Sequence, residues 1–138
     1  MIYLLDTNIF LRVFVREDEE DYRVCRRLLD KIRNFEVEAV TAGVVLAEVS
    51  WVLGSYYRLP RQQAAEKLSS ILKTRGLKVV DDYDWFNAAI SYNEHNVKFL
   101  DAVLATMPDV ANRNWTVISF DEDFKKLPVK WKLPKDVV

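Results

Sequence analysis

At 138 residues, half of them hydrophobic, the chain has the size of one domain and enough apolar material for a core without disulfides or a structural metal. Its 20 Lys and Arg against 21 Asp and Glu leave no overall surplus for holding nucleic acid by counterion release, so such a partner must be met by a local cluster. No apolar run approaches the ~20 residues of a bilayer-spanning helix, and the single cysteine, Cys25, has no partner for an internal disulfide.

Ile2-Tyr-Leu-Leu5 predicts a short buried strand, which stops on Asp6-Thr7-Asn8 before a helix from Ile9 to Val15. The N-terminus lacks the basic stretch of a secretory leader, and Asp6 interrupts what would be its apolar core. With one cysteine, the expected setting is reducing and cytoplasmic. Acidic Glu17 to Asp21 opens a second helix, in which Val24, Leu28, Leu29 and Ile32 recur at helical spacing. Glu38 to Thr41 reads as a brief strand, and Val44 to Tyr57 as a strongly apolar helix stopped by Pro60. Gln62 to Lys73 is an amphipathic helix carrying Ala65, Leu68 and Leu72, ended by Gly76. Leu77 to Val80 is a third strand, and Asp82 caps a helix through Trp85, Ala88, Ala89 and Tyr92. Phe99 to Met107 is helical until Pro108. Trp115 to Ser119 is the clearest strand, Asp121 opens a short helix, and Val129 to Leu133 is extended. Short strands separated by one or two helices predict an α/β fold: three layers, α/β/α, around a short, mainly parallel sheet. Only three glycines and four prolines, with no repeats or linker, make residues 1–138 a single domain.

Four acids sit where stability alone would not put them. Asp6 and Asp121 each follow an apolar strand directly, and ligands of open parallel sheets bind beyond the carboxyl ends of strands. Glu48, on a helix from Val44 to Tyr57, has Val44, Val45, Trp51 and Val52 one turn away. A carboxylate truly buried there without a partner costs of the order of several kcal/mol, so a cation is expected to face it. Asp101 lies among Phe99, Leu100, Ala102, Val103 and Leu104, residues that otherwise read as core. Singly, Asp6, Asp101 and Asp121 can be helix caps, and Glu48 can pair with Arg12. Together, four acids aimed at one end of one sheet favour a shared divalent cation. Carboxylate oxygens without His or Cys partners suit Mg²⁺ or Mn²⁺.

Four strings carry a family likeness: Leu5-Asp6-Thr7-Asn8; Leu46-Ala47-Glu48-Val49 followed by Trp51-Val52-Leu53; Asp101-Ala102-Val103-Leu104-Ala105; and Ser119-Phe120-Asp121-Glu122-Asp123-Phe124. In that order and spacing the chain resembles the PIN-domain nucleases, specifically the small VapC-type toxins of toxin–antitoxin pairs, over almost its whole length. The resemblance implies that Asp6, Glu48, Asp101 and Asp121 are the acidic quartet around the metal, with Asn8 and Ser119 as supporting polar residues. It implies metal-dependent hydrolysis of RNA, pairing into a homodimer, and a cognate antitoxin whose tail covers the groove. One departure is Lys98, where many members of the family carry another acid one turn before the third. That lowers the negative charge and weakens the case for a second metal, and Asp123 is a candidate replacement. Another is Pro108, which falls where the helix after Asp101 was expected to continue.

Substrate guidance must come from basic residues near the acids. Arg12 and Arg16 share one helix face at i, i+4 spacing just after Asp6, and are the substrate-binding candidates. Arg23, Arg26, Arg27, Lys31 and Arg33 read as a solvated face of the next helix, and His95, between Glu94 and Asn96, as an exposed helix end without a catalytic role. Trp51, Trp85, Trp115, Trp131 and the Tyr56-Tyr57 pair are core residues or a partner surface. Single-stranded or looped RNA is the expected substrate class. Two other classes stay open: a PIN-fold RNA-processing nuclease that is not a toxin, and a non-catalytic α/β binding or signalling domain. The second leaves Glu48 unexplained.

Overall fold

Two short apolar runs, Ile2–Leu5 (β1) and Trp115–Ile118 (β4), lie side by side with Leu5 opposite Ile118. This is the centre of a five-stranded sheet in a computed structural model that describes residues 1–138. Leu4, Leu5, Val117 and Ile118 are fully buried, as central strands of a parallel sheet covered on both faces must be. Glu38–Thr41 (β2) pairs with the other side of β1, Leu77–Val79 (β3) with β2, and Lys130–Lys132 (β5) with β4. All pairings are parallel, giving the order β3-β2-β1-β4-β5. The edge strands expose Lys78, Lys130 and Lys132, charges that discourage further pairing.

The order reverses between β1 and β4, because the chain builds outward on one side and then returns to build on the other. A crevice opens at such a switch point, beyond the carboxyl ends of the two strands. It is there that Asp6 follows β1 and Asp121 lies just beyond β4.

Seven α-helices flank the sheet. Thr7–Phe14 (α1) and Glu19–Arg33 (α2) pack on each other, and α1 also packs on Gly43–Trp51 (α3), which meets Arg61–Leu72 (α4). A second group joins Trp85–His95 (α5), Phe99–Ala105 (α6) and Pro108–Ala111 (α7). Phe10 of α1 and Phe124, in the turn of 3-10 helix after Asp121, are the bulkiest fully buried side chains. Each contributes about 1.5–3 kcal/mol by the usual area relation.

The structure differs from the sequence expectations at element ends. The helix expected from Ile9 begins at Thr7, because Asp6 caps it by accepting the Thr7 N–H at 2.8 Å. The long helix expected to Tyr57 is regular only to Trp51 and continues as a π-turn over Val52–Tyr56. Asp84, not Asp82, caps α5, accepting the Asn87 N–H. Pro108 does not merely end a helix: it opens α7 at the first position, where its missing N–H costs nothing. Gly76, which follows α4, adopts φ +83° with its backbone against the Ile32 carbonyl.

Candidate metal centre

The crevice is a pocket of about 210 Å³ lined by Asp6, Thr7, Glu48, Lys98, Asp101 and Asp121, among others. Each acid arrives on a different element. Asp6 is the cap between β1 and α1, Glu48 lies in α3, Asp101 in the first turn of α6, and Asp121 caps the 3-10 turn after β4. All four expected acids therefore converge.

Asp6 is almost fully buried and held from two sides. Its Oδ1 accepts the Thr7 N–H, and its Oδ2 accepts the Ser119 hydroxyl at 2.6 Å. Ser119 Oγ in turn accepts from the Asn8 side-chain amide at 3.0 Å and from the Asp121 N–H at 2.9 Å. The Phe120 N–H donates to the Asn8 carbonyl oxygen at 3.2 Å. Asn8 and Ser119 thus tie the loop after β4 to the start of α1, so that Asp6 and Asp121 are positioned together.

Glu48 is half-buried, and its Oε2 accepts the Thr7 hydroxyl at 3.2 Å. Glu48 is less enclosed than its sequence neighbours imply, because Trp51 is two-thirds exposed. Arg12 is not its partner. The Arg12 Nε lies 3.3 Å from Asp21 Oδ2 on α2, and its guanidinium sits over the Phe120 ring. Arg16 is likewise bound to Glu19 and stacks on Tyr22 at 4.0 Å. Both candidate substrate arginines are thus engaged with α2 or its flank rather than lining the pocket.

Asp101 is 2 % exposed, and its Oδ2 has no hydrogen-bond partner. A buried carboxylate oxygen without a hydrogen-bond partner is unstable as an anion. Burial, the Asp6 charge and hydrogen bonding with Asp121 push its pKa up to about 9. Burial also raises Asp6 to about 6, against the hydrogen bonds from Ser119 and Thr7. Asp121 moves the opposite way: burial opposes ionisation, but Asp101, the Asp123 N–H and Lys98 outweigh it and lower the pKa. Lys98 Nζ lies 3.2 Å from Asp121 Oδ2. Burial works against its charge, yet Asp121, Asp101 and Glu48 hold the ammonium above its usual range.

Carboxylate oxygens of Asp101, Asp121 and Asp123 fall within 4.8 Å of one another. The orphaned Asp101 oxygen and the all-oxygen donor set fit a hard divalent cation, which would replace the proton that Asp101 otherwise keeps. Asp123, considered from the sequence as a substitute donor, also pairs with Lys126 at 3.2 Å. The sequence set Lys98 against the site as a residue that lowers its negative charge, without giving it a partner. Its spacing of three residues from Asp101 was the signal that it shares the pocket.

The family model described as PIN domain matches residues 3–130. Comparison with curated proteins gives no significant match. Among solved structures, a chain of VapBC2 from Rickettsia felis, crystallised on a DNA fragment from its promoter, is similar at a TM-score of 0.62 and 21% identity, over 96% of this chain and 98% of that one. PAE2754 from Pyrobaculum aerophilum gives 0.67 at 15% identity, over 99% and 92%. VapC20 from Mycobacterium tuberculosis, described as a toxin that cleaves the sarcin-ricin loop, gives 0.65 at 18% identity, over 89% and 92%.

Proposed function

The chain belongs to the PIN domain family, and on that premise we propose that it is a Mg²⁺- or Mn²⁺-dependent ribonuclease, the toxin of a toxin–antitoxin pair. The observation that carries the nuclease reading is the convergence of Asp6, Glu48, Asp101 and Asp121 around a buried, partnerless carboxylate oxygen. A binding or signalling domain leaves Glu48 unexplained. The toxin reading draws on the likeness to chains from toxin–antitoxin systems and on similar length.

Asp101 and Asp121 would hold the cation, with Asp6 and Glu48 completing its oxygen environment and Asp123 within reach. When bound, a divalent cation supplies Lewis acidity and charge neutralisation for phosphodiester hydrolysis. Ser119 and Thr7 fix both oxygens of Asp6, so the carboxylate does not rotate away as charge changes nearby. Asn8 locks the loop that presents Asp121. Without a cation the acids repel a phosphodiester, which makes substrate entry depend on loading. Unpaired RNA, whose backbone can be splayed into the pocket, is the substrate class it suits. Arg12 and Arg16 would serve that RNA by exchanging their α2 carboxylates for phosphates.

The antitoxin partner and a homodimer are part of the same reading. Trp51, Tyr56, Trp85, Phe86 and Ile90 are all substantially exposed, more apolar surface than a lone domain needs to show. No helix is long and apolar enough to cross a membrane. A cytoplasmic location fits the reading, and the free Cys25, buried with its thiol pKa pushed up to about 12, is inert there.

The test is cleavage of a mixed RNA pool with Mg²⁺, with Mn²⁺ and with EDTA, beside a folded Asp6→Asn variant. Cleavage that requires the cation and disappears in the variant is the expected result. Equal cleavage by both proteins would mark a contaminating nuclease. No cleavage, with no Mn²⁺ binding by calorimetry, would return the chain to the binding-domain class.

A further inference from the structure

Building on the hydrolytic reading of the pocket, we propose that Lys98 is its resident counter-cation, which yields Asp121 to the metal and then holds a phosphate of the RNA. Lys98 is the only basic side chain lining the pocket. Its Nζ reaches Asp121 Oδ2, a carboxylate only 14% exposed, while the Lys98 side chain is itself 68% exposed. The ammonium is therefore inserted among acids on a stem that solvent leaves free to turn.

Nothing else in the fold explains this placement. Lys98 occupies the cap position of α6 through its backbone, and its side chain makes no capping bond. Asp121 is its one ion-pair partner. The other cations nearby form their ion pairs outside the pocket: Arg12 with Asp21, Arg16 with Glu19, and Lys126 with Asp123, donating also to the Asn96 carbonyl.

Asp121 cannot serve an ammonium and a divalent cation equally, since the two positive charges repel at close range in a partly buried site. Loading the metal should release Lys98, and the flexible four-carbon stem lets its charge re-aim to the rim. An ammonium at the rim of a metal-loaded pocket is placed to pair with a phosphate oxygen. One residue thereby opposes metal binding and favours substrate binding, two effects of opposite sign that a merely structural lysine would not produce.

The test uses Lys98→Met and Lys98→Arg, in full-length protein with thermal melts to verify folding. Mn²⁺ affinity is measured by titration calorimetry, and binding of a labelled single-stranded RNA by fluorescence anisotropy with Ca²⁺ as the ion. Lys98→Met is expected to bind Mn²⁺ about tenfold more tightly and the RNA about tenfold more weakly, as loss of one partly screened charge implies. Lys98→Arg is expected to restore RNA affinity. The proposal is overturned if Lys98→Met leaves Mn²⁺ affinity unchanged or reduced, or leaves RNA affinity unchanged. Cleavage by the wild type is scored separately: if it is absent while both binding shifts appear, the hydrolytic reading falls and the role of Lys98 stands.

Discussion

Ser119 shows how much of the pocket depends on one small side chain. Its hydroxyl donates to Asp6 and accepts from the Asn8 amide and the Asp121 N–H, so it joins three of the residues that define the crevice. Ser119→Ala keeps the volume nearly constant and removes all three bonds. Mn²⁺ affinity measured by calorimetry should fall roughly ten- to a hundredfold, the usual effect of losing a group that orients a metal ligand. Unchanged affinity would mean that Asp6 is held by the Thr7 N–H alone. Asp6 and Asp121 were legible from sequence because a parallel strand ending in an acid points that acid at the ligand-binding edge. Asn8 and Ser119 had only the family likeness to recommend them, since their hydrogen bonds cross more than a hundred residues. The surroundings of Glu48 differ from the sequence expectation: Trp51 does not enclose it, its carboxylate accepts the Thr7 hydroxyl, and the cation sharing its pocket is Lys98 rather than Arg12.

At the scale of elements, the acids are held by where helices start. Asp6 and Asp121 cap α1 and the turn after β4, and Asp101 lies in the first turn of α6, so a shift of any start displaces an acid of the crevice. Helix starts were the least legible feature. Thr7 joins α1 only because Asp6 caps it, and Asp84 displaces Asp82 as the cap of α5, where the Asp84 N–H also donates to the Thr106 hydroxyl. Gly76 gives a test remote from the pocket. At φ +83° a Cβ would stand 2.5 Å from the Ile32 carbonyl oxygen, backbone that cannot step aside. Gly76→Ala should destabilise the protein by roughly 2 kcal/mol or more in chemical denaturation, combining left-handed strain with the clash. Its Mn²⁺ affinity at temperatures where the variant is folded should match the wild type. A stability loss within error would show that the connection from α4 to β3 re-forms around the added methyl.

For the whole molecule, the acids make stability depend on pH and on the cation together. Asp6 and Asp101 have folded pKa values of about 6 and about 9, both above the 3.8 of an exposed aspartate. Between those limits the folded protein binds more protons than the unfolded chain, so the stability of the metal-free protein falls as pH rises from about 4 toward 9. The melting temperature in EDTA should be lower at pH 8 than at pH 5. Mg²⁺ should raise it more at pH 8, where it replaces protons already lost. Asp101→Asn, which cannot ionise, should flatten most of the slope and be the more stable protein at pH 8 without metal. A metal-free melting temperature that climbs from pH 5 to pH 8 would contradict the burial of these two carboxyls.

Strand number, the α/β class and the parallel sheet follow from local pattern, because short apolar runs alternating with helical periodicity leave few arrangements that bury both. The four acids that line the pocket were singled out by a related rule, that charge set among core residues needs a reason. Pattern cannot say which cation faces which anion. Long basic side chains reach several candidate partners, and the choice is made by packing between elements far apart in the chain. Thus Arg12 and Arg16 turn to α2, while Lys98, read from sequence as lowering the negative charge of the site, pairs with Asp121 in the pocket. Likewise the orphaned oxygen of Asp101 exists only once β1, α3, α6 and the turn after β4 close around it, which is a property of the assembled crevice and of no single segment.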